Sequence, residues 1–257
     1  MNTDTLKVNE VSQNTLLIRL NRPEAYNALN TEMLCALGQQ LLLAGQSKSI
    51  QCVIITGDKK AFAAGSDVTE LKGISTGQYP EEERLEAWQR IREFRKPLIA
   101  AINGFAFGGG CELAMHADIL VASSTAQFAQ PEVKLGLMPG AGGSQYLPTR
   151  VGKATAMLMN LTGIKLNAQR ALEVGLISEL VDSDDALPRA LELAATIETM
   201  SQSALIANKA SILQSYECGQ TAALQNERAM FLEQAQTADG VEGISAFIEK
   251  RKPSFNA

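Results

Sequence analysis

The apolar pattern of this chain predicts an α/β fold, on three observations. Short runs at Thr15 to Leu20, Cys52 to Thr56, Pro97 to Ile102 and Ile119 to Ala122 have the length and apolar content of buried strands. Longer segments between them carry apolar residues at helical spacing. From Lys153 onward the strand signal fades and helical periodicity runs to the C-terminus. Alternating strands and helices require a sheet covered by helices.

The elements follow in order. After the strand at Thr15 to Leu20, Asn30 is placed to cap a helix from Thr31 to about Ala44, with Met33, Leu34, Leu37, Leu41 and Leu42 on its apolar face. Cys52 to Thr56 reads as a buried strand. Pro80 to Lys96 is a charged helix whose Leu85, Trp88, Ile91 and Phe94 form an inward stripe. Pro97 to Ile102 and Ile119 to Ala122 are further strands on either side of a glycine segment. Then come helices at Ala154 to Leu161, Ala168 to Val174, Ala186 to Thr199, Ser203 to Tyr216, Ala222 to Gln236 and Val241 to Lys250. A boundary near residue 200 divides a core, residues 1–200, from a C-terminal helical region, residues 201–257.

Composition bounds the function. A chain of 257 residues is near the size at which one hydrophobic core stops growing, so one large domain with a smaller appendage is expected. Its 46% hydrophobic and 20% charged residues are ordinary for a globular protein. A net charge of -5 argues against nucleic acid as a partner, because such binding needs a basic face. No apolar stretch is long enough to span a bilayer, and Asp4 and Glu10 precede the first arginine, Arg19, so the cytosol is the expected compartment. Cys35, Cys52, Cys111 and Cys218 are far apart and form no metal-ligand pattern, so they read as reduced thiols, mostly buried.

The segment Phe105-Ala106-Phe107-Gly108-Gly109-Gly110-Cys111-Glu112 runs three glycines into a helix start. Glycine admits close approach of a ligand to the main chain, and the first N–H groups of a helix have no intrahelical partner. Gly109 and Glu112 are three apart, so an N–H and a carboxylate can face one ligand, an arrangement suited to an enolate. Three more segments accompany it. Ala61-Phe62-Ala63-Ala64-Gly65-Ser66-Asp67-Val68 follows the Cys52 strand, and Gln130-Pro131-Glu132 follows the run from Asp118 to Ser123. Pro139-Gly140-Ala141-Gly142-Gly143-Ser144-Gln145 reads as a second glycine-led helix start.

In this order and spacing, the four segments resemble the crotonase superfamily, and most closely its enoyl-CoA hydratases. The resemblance extends from Asn21-Arg22-Pro23 and Asn27-Ala28-Leu29 to Gly243-Ile244-Ser245-Ala246-Phe247 and Lys250-Arg251-Lys252. It implies a spiral of ββα turns with a C-terminal helical trimerisation region. It implies an acyl-CoA thioester substrate, a trans-2-enoyl-CoA hydrated to a 3-hydroxyacyl-CoA, with no cofactor beyond the CoA that the substrate carries. The thioester oxygen would be held by the backbone N–H groups of Ser66 and Gly109. Ala64, Asp67 and Val68 would line the CoA ester beside them, and Glu112 and Glu132 would move the protons. The resemblance also implies a homotrimer, or a hexamer built as a dimer of trimers. A Δ3,Δ2-enoyl-CoA isomerase or a noncatalytic CoA-ester-binding subunit would share the oxyanion site. The presence of both carboxylates favours the hydratase.

Other residues have two readings each. His116, the only histidine, lies on an apolar helix and reads as packed rather than catalytic, and without it no Ser-His-Asp triad can form. Lys59 and Lys60 read as a solvated turn or as contacts to the CoA nucleotide, and Arg22 as a strand-end charge or part of the CoA entrance. Lys250, Arg251 and Lys252 suit a helix end. Met157 and Met159 read as packing. Tyr146 stands where many relatives carry arginine. The segment Leu71 to Glu86 is where the family varies and the acyl tail lies. Within the hydratases the resemblance is nearest to those acting on dehydroadipyl-CoA in phenylacetate breakdown, whose distal carboxylate calls for a cation such as Lys72 or Arg84.

Overall fold

Every residue of Cys52–Thr56 is buried, and the reason is that both faces of this strand are covered. Val53 and Ile55 face one hydrophobic core, while Cys52 and Ile54 face a second. A strand buried on two sides has no polar face, so its sequence reads as a continuous apolar run.

The computed structural model describes residues 4–255. Residues 1–3, part of the N-terminal stretch read above for targeting signals, and residues 256–257 lie outside the described residues. The strands are β1 (Leu6–Glu10), β2 (Thr15–Leu20), β3 (Cys52–Thr56), β4 (Ala61–Ala63), β5 (Leu98–Ile102), β6 (Phe105–Phe107), β7 (Ile119–Ser123), β8 (Gln127–Ala129), β9 (Lys165–Asn167) and β10 (Glu179–Val181). The helices are α1 (Thr31–Gln46), α2 (Val68–Leu71), α3 (Gly73–Thr76), α4 (Glu81–Arg92), α5 (Gly109–His116), α6 (Tyr146–Thr162), α7 (Ala168–Glu173), α8 (Leu187–Ile197), α9 (Gln202–Gln214), α10 (Gln220–Ala235) and α11 (Ala238–Ile248).

Successive strands divide between two sheets. The larger has the order β1-β2-β3-β5-β7-β10, parallel except for β1, and the smaller has the order β4-β6-β8-β9, parallel except for β9. Each of the pairs β3/β4, β5/β6 and β7/β8 gives one strand to each sheet before the chain passes into helical or looped structure. This is the expected spiral of ββα turns. The first core lies between the large sheet and α1, α4 and α5, and α8 closes the second through Ala190 and Ala194, with Ala186 just before it.

The strands that the sequence pattern did not reveal are β1, the three-residue β4, β6, β8 and β9, and β10 beyond Lys153. Three residues are too few to display a period, so pairing alone defines them. Helix starts were more legible. The Asn30 side chain accepts from the Met33 N–H at 3.0 Å, and Asn167, Ser201 and Thr237 cap α7, α9 and α11 in the same way.

Two members of the expected apolar stripes are exposed. Leu42 and Leu85 face outward, and α4 instead turns Arg84, Ala87, Trp88 and Ile91 inward. The cause is the close approach of α1 and α4 at Gly38, where an added Cβ would meet the Ala87 carbonyl oxygen at 3.2 Å. That approach selects the Ala87 side of the helix. Met159 is packed in the core as expected, but Met157 is exposed and lines an apolar cleft with Val133 and Leu137. Of the thiols, Cys52 and Cys111 are buried, while Cys35 and Cys218 are half-buried.

The C-terminal helices bury little. Neither α9 nor α10 contributes a buried residue, and α11 contributes only Asp239 and Ala246. A buried-side tether holds α9 to the core, where Lys209 Nζ meets Asp118 at 2.7 Å and the Lys96 carbonyl at 2.9 Å. Arg251 pairs with Glu242 and Glu249, which fixes the turn after α11. Among the described residues, no helix is long and apolar enough to cross a membrane.

Helix α5 lies directly against β4, and Gly110 makes this possible: a Cβ there would sit 2.1 Å from the Ala63 carbonyl oxygen. Gly110→Ala is therefore expected to push α5 off the small sheet and cost about 1–3 kcal/mol, as overpacking does. Urea denaturation of the two proteins checks this, and an unchanged midpoint would refute the packing account.

Candidate active site

Parallel pairing brings the carboxyl ends of β4, β6 and β8 side by side, with Ala63 opposite Ala106 and Phe107 opposite Ala129. The residues that follow these three ends are Ser66, Gly109 with Glu112, and Glu132. Four of the site residues expected from sequence are thus delivered to one place by the small sheet. Loops beyond the carboxyl ends of parallel strands are where α/β sheets commonly bind ligands.

The Ser66 loop is held by the Asn27-Ala28-Leu29 segment. Leu29 N–H donates to Gly65 O at 2.7 Å and Asp67 N–H donates to Leu29 O at 3.1 Å, so Leu29 pairs with Ser66 as in a parallel ladder. In such a ladder the flanking peptides make the bonds, and the Ser66 N–H points to the opposite side. Asn27, fully buried with φ 56°, ties the turn down by donating from Nδ2 to Ala61 O at 2.9 Å. Ala64 N–H donates to Tyr26 O at 3.0 Å. Arg22 pairs with Asp67 at 3.0 Å, and Asp67 also caps α2 by accepting from Thr69 N–H. The Thr69 bonds and the Arg22 charge hold the Asp67 carboxyl below the usual range. Val68, the first residue of α2, is exposed beside this loop.

Gly109 opens α5, where its N–H has no intrahelical acceptor. A Cβ at Gly109 would lie 3.0 Å from Ser66 Oγ and 3.2 Å from the Ser66 nitrogen, so the two main chains meet here with no room for a side chain. Gly108 before it has φ 48° and ψ -125°, a conformation open in practice to glycine alone. Glu132 uses the same bare backbone from the other side, since a Cβ on Gly108 would stand 3.0 Å from Glu132 Oε1.

Glu112 is only 3% exposed, and its Oε1 accepts N–H bonds from Ala141 and Gly143, both at 2.8 Å. The segment Pro139 to Gln145 leads into a helix as expected, and it does so as a loop that ends where α6 begins at Tyr146. Its buried main-chain N–H groups, free of any helical acceptor, are what Glu112 requires. Burial pushes the Glu112 carboxyl up, and the two N–H bonds oppose that rise by favouring the charged form. Glu132 begins a 3-10 turn after Pro131. Burial, reinforced by the charge on Glu112, lifts it to about 7, against the pull of its own backbone N–H. The wholly buried Gln130 brings its side-chain amide to 3.0 Å from Glu132 Oε1 and 3.2 Å from Oε2, and turning its NH₂ toward that carboxyl is what satisfies both groups.

Several other expectations are resolved by contacts. Lys59 pairs with Asp184 at 2.8 Å in an exposed turn. Arg84, one of two candidate cations for an acyl pocket, is 4% exposed and bonded to Glu70 at 3.0 Å, so it is not free for a substrate carboxylate. Lys72 is exposed at the end of α2. His116 is packed as expected, against Trp88 and Tyr146, but its Nε2 also bonds the Ala141 carbonyl at 3.1 Å. Sequence reasoning missed the roles of Gln130, Ala141 and Gly143. The glycine run at Pro139 to Gly143 was the available signal, because it marks backbone that must face a partner.

Chemically, the site offers two main-chain N–H groups at one point and two carboxyl groups beside them. Such a set can hold a developing oxyanion while one proton is taken and another given. Known proteins carry the same frame. The sequence profile of the enoyl-CoA hydratase/isomerase family matches residues 10–257. A 2,3-dehydroadipyl-CoA hydratase of Escherichia coli is 45% identical over 243 residues, covering 95% of both chains. The mitochondrial enoyl-CoA hydratase of Pongo abelii is 40% identical, over 93% of this chain and 82% of that protein. An enoyl-CoA hydratase subunit from Geobacillus kaustophilus superposes with a TM-score of 0.93 at 32% identity, covering 98% of both chains.

The raised Glu132 carboxyl has a stability consequence. Between 4.5, its ordinary value, and about 7, the unfolded chain releases this proton more readily than the folded one, so the folded state loses ground as pH rises through that window. Glu132→Gln, which does not ionise, is expected to gain thermal midpoint relative to the natural protein at about pH 8 and to match it near pH 4. Melting curves at both pH values check this, and a constant difference would refute it.

Proposed function

This chain belongs to the enoyl-CoA hydratase/isomerase family, and we propose as its function the reversible addition of water to a trans-2-enoyl-CoA, giving a 3-hydroxyacyl-CoA. It is an enoyl-CoA hydratase, a lyase acting on an acyl-CoA thioester. The observation that carries the mechanism is the convergence of Ser66, Gly109, Glu112 and Glu132 beyond three neighbouring strands.

As oxygen adds to the β-carbon of the enoyl group, negative charge builds on the thioester oxygen. Ser66 and Gly109 N–H groups act where that charge develops, and one such donor is worth about 3–4 kcal/mol of barrier. Glu112, kept ionisable by the Ala141 and Gly143 N–H bonds, takes the proton from water. Glu132, lifted to about 7, is rich in proton near neutrality and delivers it to the α-carbon. Dehydration reverses both transfers. The pair titrates as a unit, because charge on Glu112 raises Glu132. The chemistry needs only these groups and the CoA that the substrate brings. Two carboxylates in the site favour hydration over the isomerase reading.

The name of the Escherichia coli relative, a 2,3-dehydroadipyl-CoA hydratase, supports a substrate with a distal carboxylate. Lys72 is then the cation to meet it, since Arg84 is already paired. We assign residues 1–200 to the catalytic core and residues 201–257 to assembly as a homotrimer or a dimer of trimers. Supporting this, Phe231, Ile244, Phe247 and Ile248 are more than half exposed on α10 and α11, an apolar display that a lone chain would leave in water. The reducing cytosol suits its four free thiols.

Loss of enoyl absorbance from crotonyl-CoA, with the product identified by mass, tests the reaction. Glu112→Gln and Glu132→Gln are each expected to lower turnover by roughly 10²–10⁴-fold while still binding the ester. Near-normal turnover in either variant would remove that residue from the mechanism, and an ester ending in a carboxylate that reacts no better than crotonyl-CoA would remove the distal-charge reading. Sedimentation is expected to give a trimer or hexamer that Phe247→Glu weakens, and a monomeric natural protein would overturn the assembly reading.

A further inference from the structure

The loop that orients Glu112 is held from three sides. Gly142 O accepts from Gln145 N–H at 2.9 Å and Tyr146 N–H at 2.7 Å, which closes the turn. The Tyr146 ring lies against Gly142, where φ is 118° and an added Cβ would meet ring carbon Cδ2 at 2.4 Å. On the third side His116, one helical turn beyond Glu112 on α5, bonds the Ala141 carbonyl at 3.1 Å. A carbonyl can only accept, so His116 carries its proton on Nε2.

The Ala141 residue is thus gripped twice by the same helix. Its N–H donates to Glu112 and its carbonyl accepts from His116. The imidazole is hemmed in on two sides, because the Trp88 ring lies tilted against it at 44° with centroids 5.5 Å apart and Tyr146 meets it edge-on at 4.9 Å. Burial and the charges of Arg92 and Arg150 drive the ring down to about 4, against the pull of the Ala141 bond, so it is neutral where the enzyme works. A neutral ring puts no competing charge beside Glu112.

We propose that His116 is a positioning residue for hydration: its Nε2–H fixes Ala141, and through the Ala141 and Gly143 N–H groups it aims the Glu112 carboxylate. Tyr146, at the head of α6, is the ring that keeps His116 in place. This inference rests on the role given to Glu112 above. It is a role that neither a core residue nor a catalytic base would have.

Three proteins test it: the natural chain, His116→Met, which fills similar space without an N–H, and His116→Gln, whose terminal NH₂ can restore the bond. With crotonyl-CoA, His116→Met is expected to lose roughly tenfold to a hundredfold in kcat, as misaimed groups do, with KM nearly unchanged. His116→Gln is expected to recover most of the loss. Amide exchange at Ala141 and Gly143, read without substrate, is expected to quicken in the Met variant and return toward the natural rate in the Gln variant. Equal losses in both variants, or unchanged exchange in the Met variant, would show that His116 only fills space and overturn the proposal. A natural enzyme that does not hydrate crotonyl-CoA or longer esters would count against the hydratase reading instead, while the exchange rates would still decide whether His116 holds the loop.

Discussion

Everything in the site depends on three very short parallel strands staying in register. β4, β6 and β8 are three residues each, yet their pairing places the Ser66 loop, the start of α5 and the Glu132 turn next to one another. Strands this short contribute little stability of their own. They are held because each follows, after a short link, from a five-residue strand of the large sheet, whose two covered faces supply the core. The spiral is therefore a device for copying the order of a stable sheet onto a small one, where the candidate site lies.

Close backbone approach is the second constraint, and it explains why glycines gather where they do. Gly110 lets α5 touch β4, Gly109 lets the two donor-bearing chains meet, and Gly108 leaves space for the Glu132 carboxyl. A methyl group at any of these positions would collide with a neighbour or crowd it. The same closeness removes water, and this is what raises both carboxyl groups. Packing and acidity are thus one arrangement seen twice. What separates the two acids is their hydrogen bonding: Glu112 receives two loop N–H groups, which favour its charge, and Glu132 sits in the field of that charge.

The loop after Pro139 links this electrostatic balance to the outer helices. It meets Glu112 and His116 on α5, and Tyr146 at the head of α6. On the far side, α10 and α11 leave large apolar side chains in water while α9 is anchored to the core by Lys209 and Asp118. An anchored base with an apolar outer surface is what the assembly proposed above would use.

Much of this was legible in the chain itself. Asn30, Met33, Leu37 and Leu41 specify α1, because cap chemistry and a 3.6-residue period are local properties. The uninterrupted apolar run at Cys52 specifies a strand covered on both faces, and Ser66, Gly109, Glu112 and Glu132 are identifiable from four motifs in order. The tertiary structure alone decided that Leu85 faces out and Arg84 in, since that depends on where α1 touches α4. It alone showed that the Pro139 glycine run, besides leading into α6, supplies N–H donors, because an amide shows its purpose only when Glu112, about thirty positions earlier, is folded against it. The sequence determined that Ser66, Gly109, Glu112 and Glu132 would follow strand ends, but not that Gln130, Ala141 and Gly143 would meet the two carboxyl groups. Their aim and acidity came from burial and from contacts between distant segments, which no local pattern records.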